Sequence, residues 1–268
     1  MYEELAVSEH HDDRPSTWNS LTELPRLAME AMAFTYSLPS LMTAPRGDGH
    51  HILVIPGFMT SDQSTGILRR YLDTLGYHSH PWNLGRNTGT QELQEAIFER
   101  FEEIVAKAGK PITLIGQSLG GIYARELAYV HPDKVRQIIT LGSPFGSQGT
   151  DNTQSIVSRL FQYTSGMSQD EMRERLAERD IASPPSVPCT SVYSKSDGVV
   201  HWSTCVEHKS AQAENIEIIG SHCGMGINPT VLHVITDRLA QDPDNWQPFN
   251  RLHCPVRSLV YPKPMVKV

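Results

Sequence analysis

Ile112-Thr113-Leu114-Ile115-Gly116-Gln117-Ser118-Leu119-Gly120-Gly121 joins two different sequence rhythms. Ile112 to Ile115 is a short apolar run of the kind that forms a buried strand, and Leu119 to Tyr129 has the period of a helix. The chain between them must turn sharply. A serine at the apex of such a strand-to-helix turn adopts a strained backbone that lifts its Oγ above the sheet. Glycines two residues to either side are needed there, because a Cβ would collide with the neighbouring strand and helix. The helix N-terminus also aims its amides at any negative charge that develops beside the serine. The pentapeptide G-x-S-x-G recurs often by chance, so its weight comes from the strand before it and the helix after it. The competing reading is a Gly/Ser-rich connection without chemistry.

The same alternation extends in both directions. His51 to Ile55 is an apolar strand closed by Pro56-Gly57, and Thr65 to Thr74 is helical up to Gly76. Tyr77 to Leu84 reads as a strand, Thr90 to Ala108 as an amphipathic helix with Leu93, Ile97, Phe98, Phe101 and Ile104 inside, and Val135 to Leu141 as a strand. Residues 146–187 interrupt the rhythm with charged helical sequence and no strand pattern. The alternation then resumes with strands at Cys189 to Tyr193 and Asn215 to Ile219 and a helix from Thr230 to Leu239. Repeated β-α-β units with short apolar strands imply an α/β fold with a mostly parallel central sheet and helices on both faces. The expected organisation is a core of residues 50–145 and 188–241, a helical cap inserted at 146–187, and an irregular tail at 242–268. Ahead of the core, residues 1–49 read as a loose tail followed by an amphipathic helix. In that helix Leu24, Leu27, Ala28, Ala31, Phe34, Leu38 and Leu41 recur at three- and four-residue steps, and the helix ends at Pro39.

A serine hydroxyl is a weak nucleophile at neutral pH and needs a base, which in turn needs an orienting acid. Asp197 follows the strand ending at Tyr193, and His222 follows the strand ending at Ile219. Both therefore fall where the carboxyl edge of a parallel sheet presents side chains beside Ser118. His222 would accept the Ser118 proton and Asp197 would hold the imidazole tautomer. His201, His208 and His233 are competing bases in helix-like stretches, and Glu207 and Asp180 are competing acids. Two amides would stabilise an oxyanion. One is that of Leu119, directly after the serine. The other lies in the loop Pro56-Gly57-Phe58-Met59-Thr60, with Phe58 ahead of Met59.

The strand–PGF loop, the GQSLGG turn, the SDGVV turn and the SHCGMG loop, in that order, resemble the α/β-hydrolase superfamily, and among its members the bacterial esterases and lipase-like enzymes. The resemblance spans residues 50 to 241. It implies the α/β-hydrolase fold, ester hydrolysis through an acyl-enzyme, a small-molecule ester substrate and no cofactor. Residue by residue, Ser118, Asp197 and His222 match the triad, and Phe58 and Leu119 match the oxyanion hole. Pro56-Gly57 departs from the His-Gly of many lipases. Acyl transfer to another acceptor, and a non-catalytic binding protein on the same fold, are the alternatives. Ile156, Leu160, Phe161, Tyr163, Met167 and Met172 in the cap segment would suit a hydrophobic, lipid-like acyl chain.

Composition narrows the setting. The net charge of −7 has no basic stripe, which argues against nucleic-acid binding. No apolar run reaches the roughly 18 residues of a membrane span, and the polar N-terminus lacks a signal-peptide pattern. Cys189, Cys205, Cys223 and Cys254 are scattered, which reads as buried thiols in a reducing compartment, although an even count leaves a disulfide open. The expectation is a soluble cytoplasmic protein without metal. His10, His11, Asp12 and Asp13 are adjacent in what reads as a solvated tail, where neighbouring side chains rarely converge as ligands do.

Overall fold

The structure, a computed structural model, describes residues 3–5, 15–146, 182–242, 245–253 and 255–267. The expected cap lies mostly outside the described residues, as do the His10–Asp13 cluster and Cys254.

Six parallel strands build the central sheet: β2 (His51–Ile55), β3 (His78–Pro81), β4 (Ile112–Gln117), β5 (Val135–Leu141), β6 (Cys189–Ser194) and β7 (Ala213–Ile218), in the spatial order β3-β2-β4-β5-β6-β7. Alternate side chains serve two cores. On one face Ile52, Val54, Ile115, Ile139 and Val192 pack under α3 (Gly66–Thr74) and α6 (Pro229–Leu239). On the other, Leu53, Ile55, Leu114 and Ile138 pack under α4 (Gln91–Ala108) and α5 (Leu119–Val130). Strands covered on both faces carry apolar residues almost continuously, which is why they read as short runs rather than alternations. Each fully buried Ile or Leu contributes about 1.5–3 kcal/mol by leaving water, so these two layers hold the sheet rigid beneath its carboxyl edge.

Three stretches, two in the sheet and one in the C-terminal region, differ from the sequence reading. β3 stops at Pro81 rather than Leu84, because the Asp62 carboxylate takes the amides of Trp82 and Asn83 at 2.9 and 3.0 Å, and Asn83 turns to a φ of 60°. β7 runs from Ala213 to Ile218, and Ile219 is left exposed. The C-terminal stretch, read as irregular, includes a short helix, α7 (Pro255–Val260), and a strand, β8 (Met265–Lys267), that pairs in parallel with β1 (Glu3–Leu5) near the other end of the chain.

The N-terminal helix shows the largest reversal. α1 (Thr17–Leu21) and α2 (Glu23–Leu41) form, and α2 continues through Pro39 to Leu41. Yet the buried positions of α2 are Glu23, Glu30 and Leu41, while Trp18, Leu21, Leu24, Met29, Met32 and Tyr36 are exposed. The periodicity is helical, but its first half lays carboxylates rather than aliphatic side chains against the protein. Among the described residues no helix is long and apolar enough to cross a membrane.

Candidate active site

β4 delivers Ser118 at the carboxyl edge of the sheet, where α5 begins. Ser118 has φ 52° and ψ −122°, a conformation that L-residues rarely adopt and that costs on the order of 1–3 kcal/mol. Its surroundings impose it: the Ser118 amide donates to the Leu141 carbonyl at 2.8 Å, and the Ser118 carbonyl accepts from the Gly121 amide at 3.0 Å. The flanking glycines are sterically required. A Cβ on Gly116 would sit 2.3 Å from the Gly120 oxygen, and one on Gly120 would sit 2.4 Å from the Ile55 oxygen. One on Gly121 would meet the Ser143 hydroxyl at 2.0 Å.

Asp197 follows β6 and His222 follows β7, and the structure brings the two together. His222 Nδ1 and Asp197 Oδ2 are 2.6 Å apart, and both side chains are buried. Asp197 Oδ1 accepts from the amides of Val199 and Val200, both at 2.8 Å. With one oxygen occupied by amides, the other faces the imidazole. A carboxylate there places the proton on Nδ1 and leaves the Nε2 lone pair available. Burial pushes the His222 pKa down, but the charges of Asp197 and then Glu23 outweigh it, and the net displacement is upward from 6.5.

The dipeptide Leu141-Gly142 at the end of β5 relates the base to the serine. Leu141 accepts from the Ser118 amide, and a Cβ on Gly142 would lie 3.1 Å from His222 Nδ1. Gly142, at φ 57°, leaves room for the ring. Gln117 adds a second tie, its Nε2 donating to the His222 carbonyl at 3.0 Å.

The loop after β2 lies against the turn: a Cβ on Gly57 would be 3.2 Å from Ser118 Cβ. Within it, the Met59 amide donates to the Asn87 carbonyl at 2.7 Å. Phe58 is half-buried against the α4/α5 core. Leu119 opens α5, so its amide is one of those a helix leaves without an intrahelical acceptor.

With this geometry in view, a family model described as the alpha/beta hydrolase fold matches residues 56–187. The chain has the α/β-hydrolase fold. Over 145 residues, 50% of this chain and 58% of the relative, the chain is 23% identical to a carboxylesterase of Bacillus subtilis (strain 168). It thus spans well under two thirds of that protein's length. It superposes on Aspergillus fumigatus lipase B with a TM-score of 0.60 at 14% identity, covering 81% of this chain and 58% of that one. On a monoacylglycerol lipase of Paleococcus ferrophilus the TM-score is 0.53 at 13% identity, covering 72% and 96%. At these identities the structural likeness speaks for the fold.

The other candidates in the hydrolase fall away from this centre. His201 Nδ1 bonds Ser203 Oγ at 2.8 Å, His208 is exposed, and the ring of His233 stacks on Tyr261. Glu207 is buried in an ion pair with Arg125 and accepts from the Cys189 thiol at 2.8 Å. Asp180 lies outside the described residues. Cys189, Cys205 and Cys223 are free thiols, and the first two are buried. Cys223 is exposed instead, although Gly224, Met225 and Gly226 after it are buried. Partial desolvation and the carboxylates of Glu23 and Asp197 push its thiol up to about 12, so little of it ionises at neutral pH. Among the described residues no group of three or more His, Cys, Asp or Glu is placed to hold a metal ion.

The sequence reading overlooked Glu23, Arg26, Asn87 and Gln117. Asn87 is fully buried: its Nδ2 donates to the Pro56 carbonyl at 2.9 Å, and its own amide donates to the Thr60 carbonyl at 2.8 Å. It therefore shapes the loop that carries Phe58. Only the charged positions spaced along one side of α2 hinted at the rest.

Proposed function

We propose that the protein hydrolyses carboxylic esters through an acyl-enzyme on Ser118, with His222 as base and Asp197 as its orienting acid. What supports the reading is the 2.6 Å contact between His222 and Asp197, together with the bond from Gln117, the residue before a serine held at positive φ, to the His222 carbonyl.

In the proposed sequence Nε2 of His222 takes the Ser118 proton as Oγ bonds to the ester carbonyl carbon. The carbonyl π electrons move to oxygen, and the amides of Leu119 and Phe58 stabilise that oxyanion; one such donor is worth about 3 kcal/mol in the transition state. Collapse of the tetrahedral intermediate breaks the bond to the alkoxy oxygen, which takes the proton from the imidazolium. Water, deprotonated by the same imidazole, then releases the acid and restores Ser118. Asp197 stays ionised throughout and stabilises the imidazolium. The apolar residues of the 146–187 segment favour hydrophobic acyl esters.

A fluorophosphonate probe tests the nucleophile directly: the wild type labels and Ser118→Ala does not. Labelling that survives in Ser118→Ala removes the assignment. Among p-nitrophenyl esters of rising chain length, turnover on acetate with none on octanoate would refute the hydrophobic acyl preference.

A further inference from the structure

α1 and α2 lie across the loops that carry Asp197 and His222, and they bind the backbone of both. Glu23 Oε1 accepts from the Gly198 amide at 2.8 Å and from the His222 amide at 3.1 Å, while Oε2 accepts from the Cys223 amide at 3.2 Å. One buried carboxylate thus joins the acid loop to the base loop. On the same side of the helix, Arg26 Nη1 donates to the carbonyls of Ser196 at 2.6 Å and Gly220 at 3.2 Å. These again belong to the two different loops. Glu30 Oε1 accepts from the Ser221 amide and from Asn228 Nδ2, both at 2.9 Å, and Ser20 Oγ donates to the Gly198 carbonyl at 2.7 Å.

The loops are shaped to receive this face. A Cβ on Gly198 would lie 2.4 Å from the Asn19 carbonyl oxygen, and one on Gly220 would lie 2.6 Å from Glu30 Oε1. One on Gly224 would overlap Glu30 Oε2 at 1.6 Å. Side chains are excluded from three points on the two loops so that a helix can approach their backbones. Simple burial of α2 needs none of this: its aliphatic residues would serve, yet several of them face solvent while two carboxylates face in.

We propose that α1–α2 is a clamp for the catalytic loops, in which Glu23 is a positioning residue that holds Asp197 and His222 in register and sets a second negative charge beside the base. The assignment rests on the triad reading above. Glu23 touches neither the serine nor the imidazole ring; it acts through the loop backbones and through its charge. Among the described residues the charged and titratable groups around His222 are few. Asp197 comes from the β6 loop, Cys223 from its own loop, and Glu23, Arg26 and Glu30 from α2. Arg26 Nη2 donates to Glu23 Oε1 at 2.9 Å and to the Asn19 carbonyl at 2.8 Å, so it moderates the Glu23 charge without contacting the base. Field and geometry therefore point the same way: the imidazolium is favoured, and the loop register that forms it is kept.

The rate of fluorophosphonate labelling, measured from pH 5 to 9, reads both effects without a substrate. Glu23→Gln, isosteric but neutral, is expected to label about ten- to hundredfold more slowly at the plateau, the range for a lost hydrogen bond to a charged group. Its rising limb is expected to move to lower pH, because the base loses a stabilising anion. A merely structural residue would lower the folded fraction and leave the limb in place. Glu30→Gln is the comparison: a buried carboxylate is lost there too, with the limb staying closer to that of the wild type. A folded Glu23→Gln with the wild-type rate and limb overturns the proposal. Should Glu23→Gln fail to fold, Glu23→Asp decides: slower labelling with a wild-type limb supports the clamp, and wild-type labelling overturns it. If the wild type itself does not label, the triad reading falls, and the clamp is then judged by the NMR titration of the His222 imidazole. A lower midpoint in the Glu23 variant supports it, and an unchanged midpoint overturns it.

Discussion

Gln117 Nε2 donates to the backbone carbonyl of His222 at 3.0 Å, so the residue before the candidate nucleophile holds the loop that carries the candidate base. The two are 105 residues apart in the chain. Serine and imidazole must meet within about 3 Å for proton transfer, and this bond sets their loops against each other at the carboxyl edge of the sheet.

Removing that tie should lower activity more than stability. Gln117→Ala loses one neutral hydrogen bond, worth about 0.5–1.5 kcal/mol, and kcat/KM on a p-nitrophenyl ester should fall by up to about tenfold with the melting temperature nearly unchanged. Gln117→Glu replaces the donor with an anion facing a carbonyl and should lose more. Wild-type kcat/KM in Gln117→Glu would show that the bond has no part in placing the base.

Asn87 makes the corresponding tie on the oxyanion side. Asn87→Asp keeps the shape but removes the donor to the buried Pro56 carbonyl, and an unsatisfied buried polar group costs about 1–3 kcal/mol. Chemical denaturation should show that loss. Steady-state kinetics should show kcat reduced more than KM is raised, because in the proposed mechanism the amide that the loop carries acts on the transition state.

Glycines at the turn separate steric need from chance. In Gly120→Ala the added methyl would meet the Ile55 and Pro56 carbonyl oxygens at 2.4 and 2.7 Å, and backbone on both sides leaves nowhere to relax. Stability should fall by about 3 kcal/mol or more. Gly66→Ala, at the start of α3, meets nothing within 4 Å and should be neutral or stabilising by about 0.5–1 kcal/mol. Equal denaturation midpoints for the two variants would contradict the packing described here.

Two histidines should pull the pH profile in different directions. As the proposed base His222 works in its neutral form, and its pKa is displaced upward, so the rising limb of kcat/KM should lie above pH 6.5. The stability that its folded-state interactions contribute is full below 6.5 and fades as pH rises through the folded value. His80 behaves oppositely: burial first, then the neighbouring His51, lowers it to about 4. Its folded form resists the proton that the unfolded chain accepts, so stability should drop as pH falls from 6.5 towards 4. His80→Gln should flatten that drop in an acid denaturation series, and an unchanged slope would exclude His80 as its source.

Much of the framework was legible because its signals are local. A glycine that must admit a strand, a serine between strand and helix, and apolar runs separated by amphipathic helices each announce themselves within a few residues. The candidate serine, acid and base could be ordered because each directly follows a strand of a parallel sheet, and such strands place their carboxyl ends on one side. Asp62 ending β3 and the exposure of Cys223 were not legible, since each depends on tertiary contacts that no periodicity encodes.

Taken alone, the sequence determined the alternating strands and helices, the glycine-framed serine, and the succession of Asp197 and His222 behind their strands. Tertiary structure decided the rest: that Glu23 and Glu30 turn inward, that Gln117 reaches the His222 carbonyl, and that β1 meets β8. The reason is physical. Hydrophobic period separates water from core, but a buried carboxylate is stable only where distant amides satisfy it, and the His222 amide that Glu23 accepts lies 199 residues along the chain.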